Sequence, residues 1–146
     1  MKAHKDKLPK IANLFNRDGG PEPPVGISVP QAMYDDFVKI SEPIQKIRPD
    51  YPFEVKVREP RKRPTRMGGT DASVFAIEGV PTLGFTTEDF KGYDFDYGEI
   101  WHTERDLYTK NIPEYQEHTA TVTAIIALGV ANLDKQLSRE GLYPEE

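Results

Sequence analysis

The chain has no cysteine, three histidines and a single tryptophan among its 146 residues. Without cysteine it forms neither a disulfide nor a thiolate metal site, and cysteine usage leaves its compartment open. Long apolar runs are also missing; nothing approaches the roughly 18 consecutive apolar residues that would suggest a membrane span. Met1 to Leu8 is charged and lacks the apolar centre of a secretory signal peptide. What is present is a polar, acidic chain, 29% charged and 37% apolar, with a formal net charge of -5. That composition suits a globular protein, and its bulk charge does not favour a polyanionic partner. The length allows a real hydrophobic core, so residues 1–146 are expected to form a single domain.

Patterning suggests the elements. Met1 to Lys7 reads as the tail of a helix stopped before Pro9. Ile11 to Arg17 is a short apolar run ending at Asp18, Gly19 and Gly20, which predicts a strand followed by a turn. Ser28 before Val29 and Pro30 predicts a helix N-cap. The stripe Met33, Phe37, Ile40, Ile44 and Ile47 then steps at helical spacing. Pro43 predicts a kink, or a second helix capped by Ser41. Phe53 to Arg58 alternates strictly and predicts a half-exposed strand. Thr70 and Asp71 predict the cap of a short helix that reaches Glu78 and stops at Gly79. Val80 to Phe85 predicts a strand, and Thr86 to Ile100 a long acidic, aromatic loop of the kind that is usually functional. The last helix is expected from Pro113 to about Arg139, with Tyr115, Thr119, Val122, Ile126, Val130, Leu133 and Leu137 along it. The alternating order predicts an α/β layered sheet of about three strands and three helices.

Few side chains can carry chemistry. His4 lies in a charged terminal segment and reads as solvated. His118, with Glu114 and Glu117 as neighbours, reads as a surface residue. His102 stands apart, directly beyond the long loop, in Trp101, His102, Thr103, Glu104, Arg105 and Asp106. Asp18 falls at the carboxyl end of the first predicted strand, where open α/β sheets place their ligands. A carboxylate and an imidazole converging there would suit zinc, which takes oxygen and nitrogen ligands. The competing readings are a plain turn at Asp18 and a packed imidazole beside Trp101.

Four segments in one order resemble a known family: Asn16 to Gly20, Gly68 to Asp71, Glu78 to Pro81, and Trp101 to Asp106. It is the co-catalytic zinc aminopeptidase family, which includes carboxypeptidase Q-like exopeptidases and, more distantly, glutaminyl cyclase. Ala72 stands where relatives often carry a histidine, which brings the chain nearest the carboxypeptidase Q-like branch. The resemblance implies an αβα sandwich and two zinc ions sharing a bridging aspartate, with a glutamate as general base. It matches Asp18 to the late aspartate ligand of one zinc and His102 to the last histidine ligand of the other. Asp71 then lines the site and orients ligands or contacts substrate, while Thr103 and Asp106 fix the loop and the imidazole. The bland alternatives are a helix cap for Asp71 and a turn or cap for Asp106. The implied substrate is a peptide or dipeptide, and members of this branch act in the periplasm or outside the cell.

The family's His-x-Asp region, bridging aspartate and Glu-Glu pair have no counterpart here; the only adjacent glutamates are Glu145 and Glu146. The chain therefore reads as the C-terminal part of such a catalytic domain, its N-terminal half absent, and inactive alone. Other readings are a non-catalytic interaction module on a degenerate peptidase fold, or cyclase-like acyl transfer. Arg58, Arg61, Lys62, Arg63 and Arg66 crowd one loop, yet no nucleic-acid fold signature accompanies them, so no nucleic-acid partner is expected. One of these arginines could instead meet a substrate carboxylate. An exposed sheet edge is expected to favour homo-oligomers.

Overall fold

A single buried strand organises the chain. In the computed structural model, which describes residues 2–144, strand β1 (Pro24–Val29) lies between β2 (Glu54–Val57) and β3 (Phe85–Thr87). β1 runs parallel to β2 and antiparallel to β3, with a bulge between Pro24 and Gly26. Val55, Ile27 and Phe85 are cross-strand partners, giving one apolar row across the sheet. Gly26 is required at the centre, because a Cβ there would strike the backbone oxygen of Glu54.

Two helices bury the sheet. Helix α1 (Tyr34–Ile47) connects β1 to β2, the crossover that a parallel pair requires. Its Met33, Phe37, Ile40 and Ile44 stripe is buried as expected, while Ile47 is exposed. Helix α4 (Pro113–Ala131) packs against α1, contributing Val122 and Ile126 to the core that holds Ile27 and Val29. Two short helices complete the order: α2 (Ala72–Ile77), stopped by Gly79 at φ 77°, and α3 (Tyr97–Ile100), capped by the Asp96 side chain on the Gly98 amide at 2.7 Å. The fold is thus mixed α/β with a three-stranded mixed sheet. No helix among the described residues is long and apolar enough to cross a membrane.

Several boundaries differ from the sequence reading, each for a physical reason. Ile11 to Arg17 is not a strand; it runs beside residues 81–83, through Leu14 N–H to the Pro81 oxygen at 2.9 Å and a paired Asn13 side chain on the Leu83 backbone. The strand is instead Pro24–Val29, so Ser28 lies within β1 and caps nothing. Pro43 neither kinks α1 into two nor needs a Ser41 cap; the Ser41 hydroxyl donates back to the Val38 carbonyl at 3.0 Å. The strand expected over Val80 to Phe85 begins only at Phe85, because the residues before it spend their backbone groups on Ile11 to Asn16. The long loop after it contains α3. Helix α4 ends at Ala131, not Arg139: Gln136 and Arg139 donate instead to Pro9 and Ile11 oxygens, tying the tail to the N-terminal segment. That N-terminal segment, Lys2–Lys10, is a 3-10 helix kinked at His4 and running through Pro9. Met1 and the Glu145 and Glu146 pair lie outside the described residues.

Candidate functional site

The turn after Arg17 and the loop after α3 meet across an open cleft of about 1140 Å³. Asp18, His102 and Asp106 line it, together with Arg17, Tyr97 and Trp101. A second cavity of about 340 Å³ shares Arg17, Asp18, Thr70 and Tyr97, so the Asp18 turn forms the ridge between the two.

Each wall is built locally. On the Asp18 side, Gly20 takes φ 71°, a left-handed turn that favours glycine. Arg17 Nη2 donates to the Gly20 carbonyl at 2.7 Å and also to the Glu22 carbonyl, closing the turn on itself. Burial pulls the Arg17 guanidinium below its ordinary pKa, an effect partly offset by Glu22. On the other side, His102 has φ 56°, a conformation rare outside glycine and enriched at functional turns. The Thr103 hydroxyl holds that turn, donating to the Glu99 carbonyl at 2.7 Å and accepting from the Arg105 amide at 3.2 Å. Trp101 meets the His102 ring edge-on at 4.9 Å and stacks on Tyr97 at 6.4 Å.

The structure therefore brings Asp18, His102 and Asp106 to one cleft, with Thr103 fixing the turn that carries His102. Asp71 does not line either cavity; its neighbour Thr70 lines both. Asp71 occupies the N-cap position of α2 without a capping hydrogen bond from its side chain. In donor chemistry, an exposed carboxylate and an exposed imidazole in one cleft suit zinc. In number they fall short: no group of three His, Cys, Asp or Glu side chains that could hold a metal occurs among the described residues. A catalytic zinc usually has three protein ligands, so this chain offers part of a donor set.

A second cluster escaped the sequence. His118 is fully buried, not on the surface, and stacks on Tyr51 at 3.9 Å with its Nε2 3.0 Å from the Pro24 oxygen. Arg48 and Lys91 lie over the Tyr51 ring at 4.7 and 4.6 Å, close enough for cation–π attraction. Lys91 pairs with Glu114 and with Asp50, while Tyr115 donates to Asp89 at 2.6 Å. The hydrogen bond to Glu114 raises Lys91 to about 12, and the same bond holds Glu114 below the usual carboxylate range. These contacts fasten residues 89–93 to the segment 50–51 that follows α1 and to α4. One signal could have found His118: it falls three and four residues from Tyr115 and Val122, on the buried face of α4, while Glu117 is exposed.

No family model matches the chain, and comparison with curated proteins and with solved structures returned no match.

Proposed function

We propose that this chain supplies the C-terminal part of a zinc exopeptidase catalytic domain of αβα type, with Asp18 and His102 as ligands to the two metal ions. The observation that carries the reading is the meeting of Asp18 and His102 on one cleft, although 84 positions separate them in sequence. Ordered resemblance to the co-catalytic zinc aminopeptidases supports it, nearest the carboxypeptidase Q-like branch.

When bound, zinc would polarise the terminal peptide carbonyl and activate the attacking water. The chain's own residues do the positioning. Asp18 presents its carboxylate from a turn closed by Arg17, and His102 presents its imidazole from a turn closed by Thr103. Asp106 shares the cleft and is assigned the role of steadying that loop, as polar neighbours of metal-bound histidines do. Asp71, beside Thr70 at the N-terminus of α2, is assigned the outer margin rather than the metals. The cleft would take a peptide or dipeptide terminus. The base glutamate and the remaining ligands, including the bridging aspartate, would come from sequence that is not in this chain, so this polypeptide alone is assigned no turnover.

The test is to express the chain together with whatever coding sequence lies in frame before Met1. The reading expects a His-x-Asp segment and a Glu-Glu pair there, and zinc-dependent release of terminal amino acids that His102→Ala abolishes. An upstream sequence without those motifs, or a soluble extended protein without hydrolysis, contradicts it.

The runner-up is an interaction module on the same fold that has lost its chemistry. The exposed Trp101, Leu107 and Tyr108 on the cleft favour it, since exposed apolar clusters mark binding surfaces. Peptide binding by the extended protein that is indifferent to zinc would select it. Cyclase-like acyl transfer is the remaining chemistry compatible with the Trp101, His102 and Thr103 segment, and product analysis separates it from hydrolysis.

A further inference from the structure

Asp18 and His102 belong to separate loops, and something must fix their spacing if both are to serve one centre. The Tyr97 hydroxyl, from the helix that leads into His102, donates to the backbone oxygen of Asp18 at 3.1 Å. Around that bond the two loops are tightly packed. A Cβ on Gly20 would sit 3.0 Å from the Tyr97 ring and 3.2 Å from Phe95, so any larger residue would require these rings to give by a few tenths of an ångström. Five residues on from Tyr97, past Trp101 stacked on its ring, comes His102. We infer that Tyr97 is a positioning residue: its hydroxyl joins the Asp18 turn to the His102 loop and sets the distance across the cleft.

The alternative account is that Tyr97 merely packs. Its ring stacks on Trp101, and Gly20 nests against it whether or not the hydroxyl bonds. The two accounts separate in the Tyr97→Phe variant, which keeps both rings in place and deletes only the donor. Simple packing leaves the loop spacing untouched. A positioning role releases the Asp18 carbonyl and lets the loops move independently, while the core around Ile27 and Val29 is undisturbed.

The inference rests on the proposed metal reading only for its consequence, because the bond and the packing are geometric. The absence of native cysteine allows spin labels to be placed without background. Gly19→Cys and Glu104→Cys flank the two loops and leave Asp18, His102 and Tyr97 intact. Gly19 tolerates a side chain, since a Cβ there meets its nearest neighbour, Arg17, at an ordinary 3.5 Å. Electron paramagnetic resonance then reads the label-to-label distance distribution with Tyr97 and with Tyr97→Phe. The expected result is a single narrow distance that widens about twofold in the variant, at nearly unchanged melting temperature. Gly20→Ala is the second variant; it retains the hydroxyl but wedges the rings apart, and is expected to shift and widen the same distribution. Equal widths in the parent and Tyr97→Phe would overturn the inference, whatever Gly20→Ala does.

Zinc affinity of the unlabelled extended protein, the chain with its in-frame upstream sequence, measured by competition with a chromophoric chelator, completes the test. Loss of the hydroxyl is expected to weaken zinc roughly tenfold, as removal of a supporting contact commonly does. An extended protein that takes up no zinc would remove the metal reading, while the distance measurement still decides the role of Tyr97. Widened distances with unchanged zinc affinity would overturn the role of Tyr97 in metal spacing and leave the metal reading standing.

Discussion

His118 is the most constrained ionisable group in the chain. Its ring is buried between Tyr51 and α4, its Nε2 faces the Pro24 oxygen, and its Nδ1 meets no hydrogen-bond partner among the described residues. Burial lowers its pKa, opposed by the bond to Pro24; Arg48 and Lys91 lower it further and Asp50 raises it. The sign follows. In the unfolded chain the imidazole takes a proton near pH ~6.5, while in the folded chain it does so only at lower pH. The stability it contributes is therefore complete above ~6.5 and falls away as pH drops below that value. Denaturant melts across this range should show stability falling with acid in the parent, and a shallower fall in His118→Gln. Equal slopes in both would mean that another group sets the acid response. At this scale the sequence was least legible: Glu114 and Glu117 made His118 look exposed, and only the register with Tyr115 and Val122 shows which way it turns.

Between elements, α1 and α4 approach closely. Gly129 on α4 faces Ile40 on α1 so tightly that an added Cβ would overlap the isoleucine's γ-methyl. Ile40 is β-branched and held in the core, so it cannot swing aside cheaply. Gly129→Ala should therefore destabilise by about 1–3 kcal/mol through overpacking, despite alanine's better helix propensity. A melting temperature equal to or above the parent's would show that the helix pair relaxes. These helices were readable from the sequence because each keeps an apolar stripe over several turns. The strands were not. β1 reads Pro-Val-Gly-Ile-Ser-Val, with glycine and proline where a strand pattern would alternate, and its buried centre is supported by neighbours distant in sequence. Ile11 to Asn16 carries strand-like residues yet pairs through only a few backbone bonds and the Asn13 side chain, a tertiary choice that local pattern does not encode.

At the scale of the molecule, β2 and β3 are outer strands with no strand on their far sides among the described residues. β2 is short and carries the exposed pair Glu54 and Lys56 at 3.0 Å, which discourages edge pairing. β3, reading Phe85, Thr86 and Thr87, is shorter still but carries no charged side chain. Self-association through β3 is the expected consequence, and light scattering should find dimers or larger species; a monodisperse monomer would count against it. The candidate site was half legible from sequence. Asp18 and His102 stood out by type and position, and the fold gathers them, with Asp106, on one cleft. The bond between Tyr97 and the Asp18 carbonyl was invisible, since it joins a side chain to a backbone oxygen 79 positions away.

Everything functional depends on whether these two side chains share a metal-binding role. Calorimetric zinc titration of the extended protein, which carries the coding sequence in frame before Met1, and of its Asp18→Ala and His102→Ala variants, asks this directly. The account predicts micromolar binding in the parent that either substitution abolishes while the fold, followed by circular dichroism, is retained. No binding by the parent, or equal binding by all three proteins, would contradict it.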